Sequence, residues 1–187
     1  ETLDYLKKII NIGYLLGVEV YVFGSPKNRF ISNLDYDQAE EIAVDFFYEI
    51  ADFCKEKSSF FCIEPNSKIY NCNFITNTTE GIKIVEKVNH SSFCLHLDTA
   101  IMYLNGENYK KSIIEASLYL KHFHISAPYL EKINDDKIDH KYIASILNQI
   151  SYSNFISIEM KTGFNDLNNI QNIEDSLSFV LKNYKIK

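Results

Sequence analysis

Five times between residues 18 and 184, a short run of apolar residues is followed by a stretch with helical spacing. Strict alternation of this kind commits a chain to parallel strands joined by helical crossovers, because a tight hairpin cannot connect parallel neighbours. Ahead of the first strand, Leu3, Leu6, Ile9, Ile10, Ile12 and Leu16 recur at helical spacing, and Gly17 stops that helix. Strands are expected over 18–23, 60–64, 93–97, 119–125 and 155–160. The first ends in the turn Gly24-Ser25-Pro26, the second is broken by Pro65 and Asn66, and the fourth closes in Ser126-Ala127-Pro128. Helices are expected over 37–57, from Thr78 or Thr79 as cap to Val88, from residue 99 to 118 with a break at Gly106, from an Asp139 cap to Ile150, and over 170–184. The strands are almost wholly apolar, which fits a sheet covered on both faces. The expected fold class is therefore α/β, as a single domain over 1–187 without linker, repeat or low-complexity tract.

Composition narrows the function classes. At 46% apolar and 24% charged, the chain can close a core and is too apolar for intrinsic disorder. Nineteen scattered basic residues stand against 25 acidic ones, for a net charge of −6, so no nucleic-acid partner is expected. No apolar run approaches the roughly 20 residues of a membrane span. Cys54, Cys62, Cys72 and Cys94 form no Cys-x-x-Cys pair and read as reduced core residues of a cytoplasmic protein.

The polar residues that end the strands point to chemistry. Strand 60–64 ends in Glu64 and strand 93–97 ends at Asp98, while His124 and Glu159 lie near the ends of strands 119–125 and 155–160. In parallel α/β folds the strand C-termini share one rim, where active sites form. Singly, each residue reads as a helix cap, a solvated turn or a structural histidine. Together, three carboxylates and an imidazole at equivalent positions would repel each other without a cation. An oxygen-rich set with one nitrogen suits one divalent metal ion, Mn²⁺ or Mg²⁺ first, with Co²⁺ or Zn²⁺ as further options.

The strings Val22-Phe23-Gly24-Ser25-Pro26-Lys27-Asn28-Arg29, Ile63-Glu64-Pro65-Asn66, Leu97-Asp98-Thr99, His122-Phe123-His124-Ile125-Ser126 and Ser157-Ile158-Glu159-Met160 carry a family resemblance. In that order, over almost the whole chain, the sequence resembles the xylose isomerase-like TIM-barrel superfamily, which includes sugar isomerases and epimerases, inosose dehydratase and endonuclease IV. The resemblance implies a (β/α)₈ barrel of which this sequence holds about the last five strand–helix units. The first three are expected to lie outside the sequence as given, or their gap to be covered by another chain. It also implies that Glu64, Asp98, His124 and Glu159 ligate one divalent ion.

Departures from the family pattern bear on substrate. Where ketose epimerases usually carry a His three residues after the metal Asp, an Arg six residues after the metal His and a carboxylate shortly after His-Ile, this chain has Ile101, Leu130 and Ala127. Ile101 and the histidine-free Gly24-Ser25 turn also remove ligands that the three-zinc cluster of endonuclease IV needs.

The expected function is a divalent-metal-dependent sugar or sugar-phosphate isomerase or epimerase, acting by proton transfer next to a carbonyl. Glu64 and Glu159 would be catalytic, one as base and one as acid. Alternatives are a metal-dependent dehydratase (a lyase) of a keto-cyclitol or dehydroshikimate type, or a degenerate, non-catalytic barrel subunit. Lys27 and Arg29 either bind a substrate carboxylate or phosphate or are solvated loop charges. Asn66 either bonds a sugar hydroxyl or serves a plain turn. His96 shares the parity of Asp98 along its strand and is a candidate substrate contact. His122 either orients a ligand or is structural. The expected partner is a small sugar or sugar-phosphate substrate, with no membrane and with homo-oligomerisation open.

Overall fold

The structure, a computed structural model, describes residues 1–134, 136–161 and 169–184. Its elements run α1 (Thr2–Leu15), β1 (Val20–Phe23), α2 (Tyr36–Glu56), β2 (Phe60–Ile63), α3 (Thr78–Val88), β3 (Phe93–Asp98), α4 (Thr99–Leu104), α5 (Tyr109–Ala116), β4 (Leu120–Ser126), α6 (His140–Gln149), β5 (Ile156–Glu159) and α7 (Asn169–Asn183). The five strands form one sheet in the order β1-β2-β3-β4-β5. The pairs β1–β2, β2–β3 and β4–β5 are parallel, as the alternation of strand and helix requires. No described helix is long and apolar enough to cross a membrane.

By compactness the chain divides into two units, 1–96 with 119–122, and 97–118 with the described part of 123–187. In the first unit, Val22 pairs with Cys62 and Cys62 with Cys94 across β1, β2 and β3. α2 starts on an Asp35 cap, whose side chain accepts from Gln38 N at 2.8 Å, so the helix begins at Tyr36, one residue earlier than the sequence suggested. Its inner face carries Phe47, which stacks on Phe93 with ring centroids 4.8 Å apart and meets Phe23 edge-on at 5.9 Å. Phe47 is buried, so its truncation to Ala would cost about 3–5 kcal/mol. α3 is capped by Asn77, whose side chain accepts from Glu80 N at 3.0 Å, and not by Thr78 or Thr79. All three residue types can cap, but Thr78 is already helical and buried.

In the second unit, β4 and β5 pair His124 with Ser157 and Ser126 with Glu159. Phe123 and Ile125 are fully buried, with Ile143, Ile146 and Leu147 of α6 also in the core. α4 and α5 flank Gly106, which sits at φ +63°, so the break expected in this stretch falls there. Asp139 caps α6 through Tyr142 N at 2.9 Å, as its position suggested.

Candidate functional site

The first unit supplies Glu64, His96 and His122. Glu64 follows directly on β2 and is buried. Asn66 Nδ2 donates to Glu64 Oε2 at 3.1 Å, and His96 Nε2 stands 3.2 Å from Oε1. His96 is wholly buried on β3. Its Nδ1 lies 3.1 Å from Nδ1 of His122, and the two rings stack with centroids 5.1 Å apart.

Arg29 sits on a 3-10 turn (Lys27–Arg29) after β1 and is buried, which corrects its reading as a solvated loop charge. Nη1 donates to Phe74 O at 3.3 Å and Ile75 O at 3.1 Å; Nη2 donates to Glu64 O at 2.8 Å and Asn66 Oδ1 at 2.9 Å. The four terminal N–H groups of the guanidinium thus go to protein acceptors. Burial lowers the Arg29 pKa, and the neighbouring Cys72 and Glu64 charges pull it back up. Ile75 is held at φ +59°, a strained conformation for a β-branched residue that costs about 1–2 kcal/mol. Its carbonyl accepts both from Arg29 and, at 3.1 Å, from Asn66 N. Lys27 is exposed, which fits both of its readings.

The second unit supplies Asp98, His124 and Glu159. Asp98 ends β3 and caps α4, accepting from Ile101 N at 2.9 Å. Ser126, at the end of β4, directs its hydroxyl at both Asp98 oxygens, 2.7 Å from Oδ1 and 2.6 Å from Oδ2. Thr99 ties the two strand ends together: Ser126 N donates to Thr99 Oγ1 at 2.9 Å, and Thr99 Oγ1 donates to Ser126 O at 2.8 Å. His124 Nδ1 stands 3.5 Å from Glu159 Oε2, and Glu159 is the more open, its side chain 44% exposed. Of the departures from the family pattern, Ile101 and Ala127 are buried, and Leu130 lies at φ +57°.

Among the described residues of the second unit, one ligand atom from each of Asp98, His124 and Glu159 falls within 4.8 Å of the others, and in the first unit nitrogens of His96 and His122 lie equally close. The group in the second unit joins two carboxylates to one imidazole, a donor set that fits a hard or borderline divalent ion. Ser126 on Asp98, Thr99 on the Ser126 backbone, and the hold of Asn66 and Arg29 on Glu64 are pairings that residue spacing did not reveal. The signal for Ser126 was a hydroxyl at the end of the strand, at the parity of His122 and His124.

Known proteins resemble the chain along its length. A curated L-ribulose 3-epimerase of Methylomonas sp. (strain DH-1) is 26% identical over 110 residues, which are 59% of this chain and 38% of that protein. The chain thus aligns with well under half of that relative. A solved L-ribulose 3-epimerase superposes with a TM-score of 0.87 at 16% identity, covering 98% of this chain and 67% of the other. The IolI protein, solved with a zinc atom bound, superposes with a TM-score of 0.73 at 19% identity, covering 97% and 69%. At such identities the superpositions speak to fold, and they agree with the parallel sheet described above. The family model for xylose isomerase-like TIM barrels matches residues 1–183, and the chain belongs to that family.

Proposed function

We propose that this chain forms the metal-bearing part of a sugar or sugar-phosphate isomerase or epimerase that shifts a proton at a carbon next to a carbonyl. The observation that supports the reading is the meeting of Asp98, His124 and Glu159 within ligand distance of one another in the second unit, with Glu64 the fourth ligand that the family resemblance implies. The names of the similar proteins support it: L-ribulose 3-epimerase in the curated relative, and the same activity in a solved neighbour. The four side chains would hold one divalent ion, which when bound supplies positive charge against the negative charge that builds on substrate oxygens.

The chain's own residues divide the remaining work. Asp98, oriented by Ser126 and Ile101 N, and His124 serve to hold the ion. Glu64 and Glu159 carry the proton, one taking it and the other returning it, because a carboxylate that ligates through one oxygen keeps a second for proton transfer. Glu64 is gripped by neighbours, whereas Glu159 is open on its side. Asn66 and His96 fit better as partners of Glu64 than as direct sugar contacts, since both are buried.

The test is turnover of a panel of ketoses, ketose phosphates and keto-cyclitols, with products separated by chromatography. The reading expects an epimerised or isomerised product, loss of activity with a chelator, and loss in Glu159→Gln without loss of folding. A dehydrated product would assign the site to a lyase instead. Unchanged turnover in Glu159→Gln would contradict the role given to it.

A further inference from the structure

Three neighbours of the Glu64 carboxylate in the first unit bear on its orientation. Oε2 receives Asn66 Nδ2 at 3.1 Å, and Oε1 faces His96 Nε2 at 3.2 Å. Gly24, directly after β1, closes the third side. A Cβ placed on Gly24 would overlap Glu64 Oε2 and stand 3.2 Å from its Cδ. Gly24 does not sit at positive φ, so backbone conformation does not call for glycine there. The space does: the carboxylate occupies the volume that any other side chain would need.

Each neighbour is itself held from behind. Asn66 takes Arg29 Nη2 on its Oδ1 at 2.9 Å, which fixes its amide so that the NH₂ group faces Glu64. His96 meets His122 through their Nδ1 atoms at 3.1 Å. Of two such nitrogens one donates and the other accepts. With His122 Nδ1–H donating to His96, the His96 proton sits on Nε2, the nitrogen that stands 3.2 Å from the accepting Oε1 without aligning as a hydrogen bond. Two buried arms thus meet one carboxylate: Arg29–Asn66 hydrogen-bonds one oxygen, and His122–His96 packs close against the other.

We propose that Gly24, Asn66 and His96 are positioning residues that fix the plane of the Glu64 carboxylate before any ion or substrate binds. The inference rests on the metal-holding role proposed for Glu64 and gives it a cause: a freely rotating glutamate would have to be ordered on each binding event, and this one is already ordered.

The experiment compares wild type, Gly24→Ala, His96→Leu, Glu64→Ala and the Gly24→Ala/Glu64→Ala double variant. Co²⁺ affinity is read by competition with a chromogenic chelator, the Co²⁺ visible absorption band reports coordination, and the thermal midpoint of each metal-free protein reports folding. Loss of a group that orients a ligand typically weakens metal binding by about 10–100-fold. That loss and an altered Co²⁺ band are expected in Gly24→Ala and His96→Leu. In the Glu64→Ala background, Gly24→Ala should have no further effect on affinity, because the group it displaces is gone. An equal loss in both backgrounds would overturn the proposal. Crystal structures of the metal-free wild type and Gly24→Ala give a readout that does not need the ion. The Glu64 oxygens should be displaced in the variant, and an unmoved carboxylate overturns the positioning claim. A wild type that binds no divalent ion would defeat the proposed function alone, leaving the crystal comparison to decide this one.

Discussion

Ser126 Oγ lies 2.7 Å from Asp98 Oδ1 and 2.6 Å from Oδ2, so one hydroxyl at the end of β4 addresses both oxygens of the carboxylate that ends β3. The same Oγ accepts from Ala100 N at 3.3 Å, and the Ser126 backbone is bonded to Thr99. Ser126→Ala removes the contact and leaves almost no cavity. We expect divalent-ion affinity to fall by roughly tenfold, measured by calorimetric titration. The metal-free protein should lose only about 1 kcal/mol of stability, the worth of one ordinary hydrogen bond.

Arg29 binds four acceptors that are distant in sequence: Phe74 O, Ile75 O, Glu64 O and Asn66 Oδ1. Lysine is not a substitute, since an ammonium cannot reproduce the planar fork. Arg29→Lys should destabilise the protein by about 3 kcal/mol, because buried acceptors lose their donors and a buried charge loses its partners. The urea midpoint of unfolding reads this, and a midpoint equal to wild type would contradict it.

Glu40 of α2 is buried at the surface of α3, where it bonds Lys83 at 2.8 Å and also Lys87. Burial pushes its pKa up, but the hydrogen bonds and charges of Lys83 and Lys87 outweigh burial and hold the carboxyl below its usual 4.5. A depressed folded pKa adds stability that is present above the unfolded value and is lost as pH falls through the folded one. Glu40→Gln should therefore lower the melting temperature at neutral pH, by the equivalent of about 1 kcal/mol given its half-exposed lysine partners. In acid, below the folded pKa, the two melting curves should converge.

Cys62 and Cys94 are register partners on β2 and β3. A hydrogen bond from Cys62 lowers the Cys94 pKa, burial opposes it, and the Lys121 charge adds to the lowering. Burial pushes Cys54 up to about 11 and Cys62 well above the usual thiol range. Cys94 is also the partly exposed member of the four, whereas Cys54, Cys62 and Cys72 are buried. Iodoacetamide at neutral pH should label Cys94 first, read by peptide mass spectrometry, since the thiolate is the nucleophile. First labelling of Cys54 would contradict the assignment.

The order of elements was legible because hydrophobic period and turn residues are local properties of the chain. So were the places of Glu64 directly after β2 and of Asp98 and Glu159 as the last residues of β3 and β5, since each follows from where a strand stops. What lay beyond reading was set by side chains meeting across long intervals. Arg29 reaches Ile75, 46 residues on, and nothing local to the Lys27-Asn28-Arg29 stretch distinguishes a buried clamp from a solvated charge. Gly24 read as a turn glycine, whereas its lack of a side chain matters for a carboxylate 40 positions away. Asn77, Thr78 and Thr79 are all competent caps, and the selection of Asn77 depends on Thr78 being drawn into the buried face of α3.

The central claim is that Glu64, Asp98, His124 and Glu159 together hold one divalent ion. Crystals grown with Mn²⁺ and measured by anomalous scattering address it most directly. The account predicts one strong anomalous peak bonded to all four side chains, at metal–ligand distances of about 2.0–2.3 Å. No peak at these residues, or an ion held elsewhere while the four side chains stand apart, would contradict it.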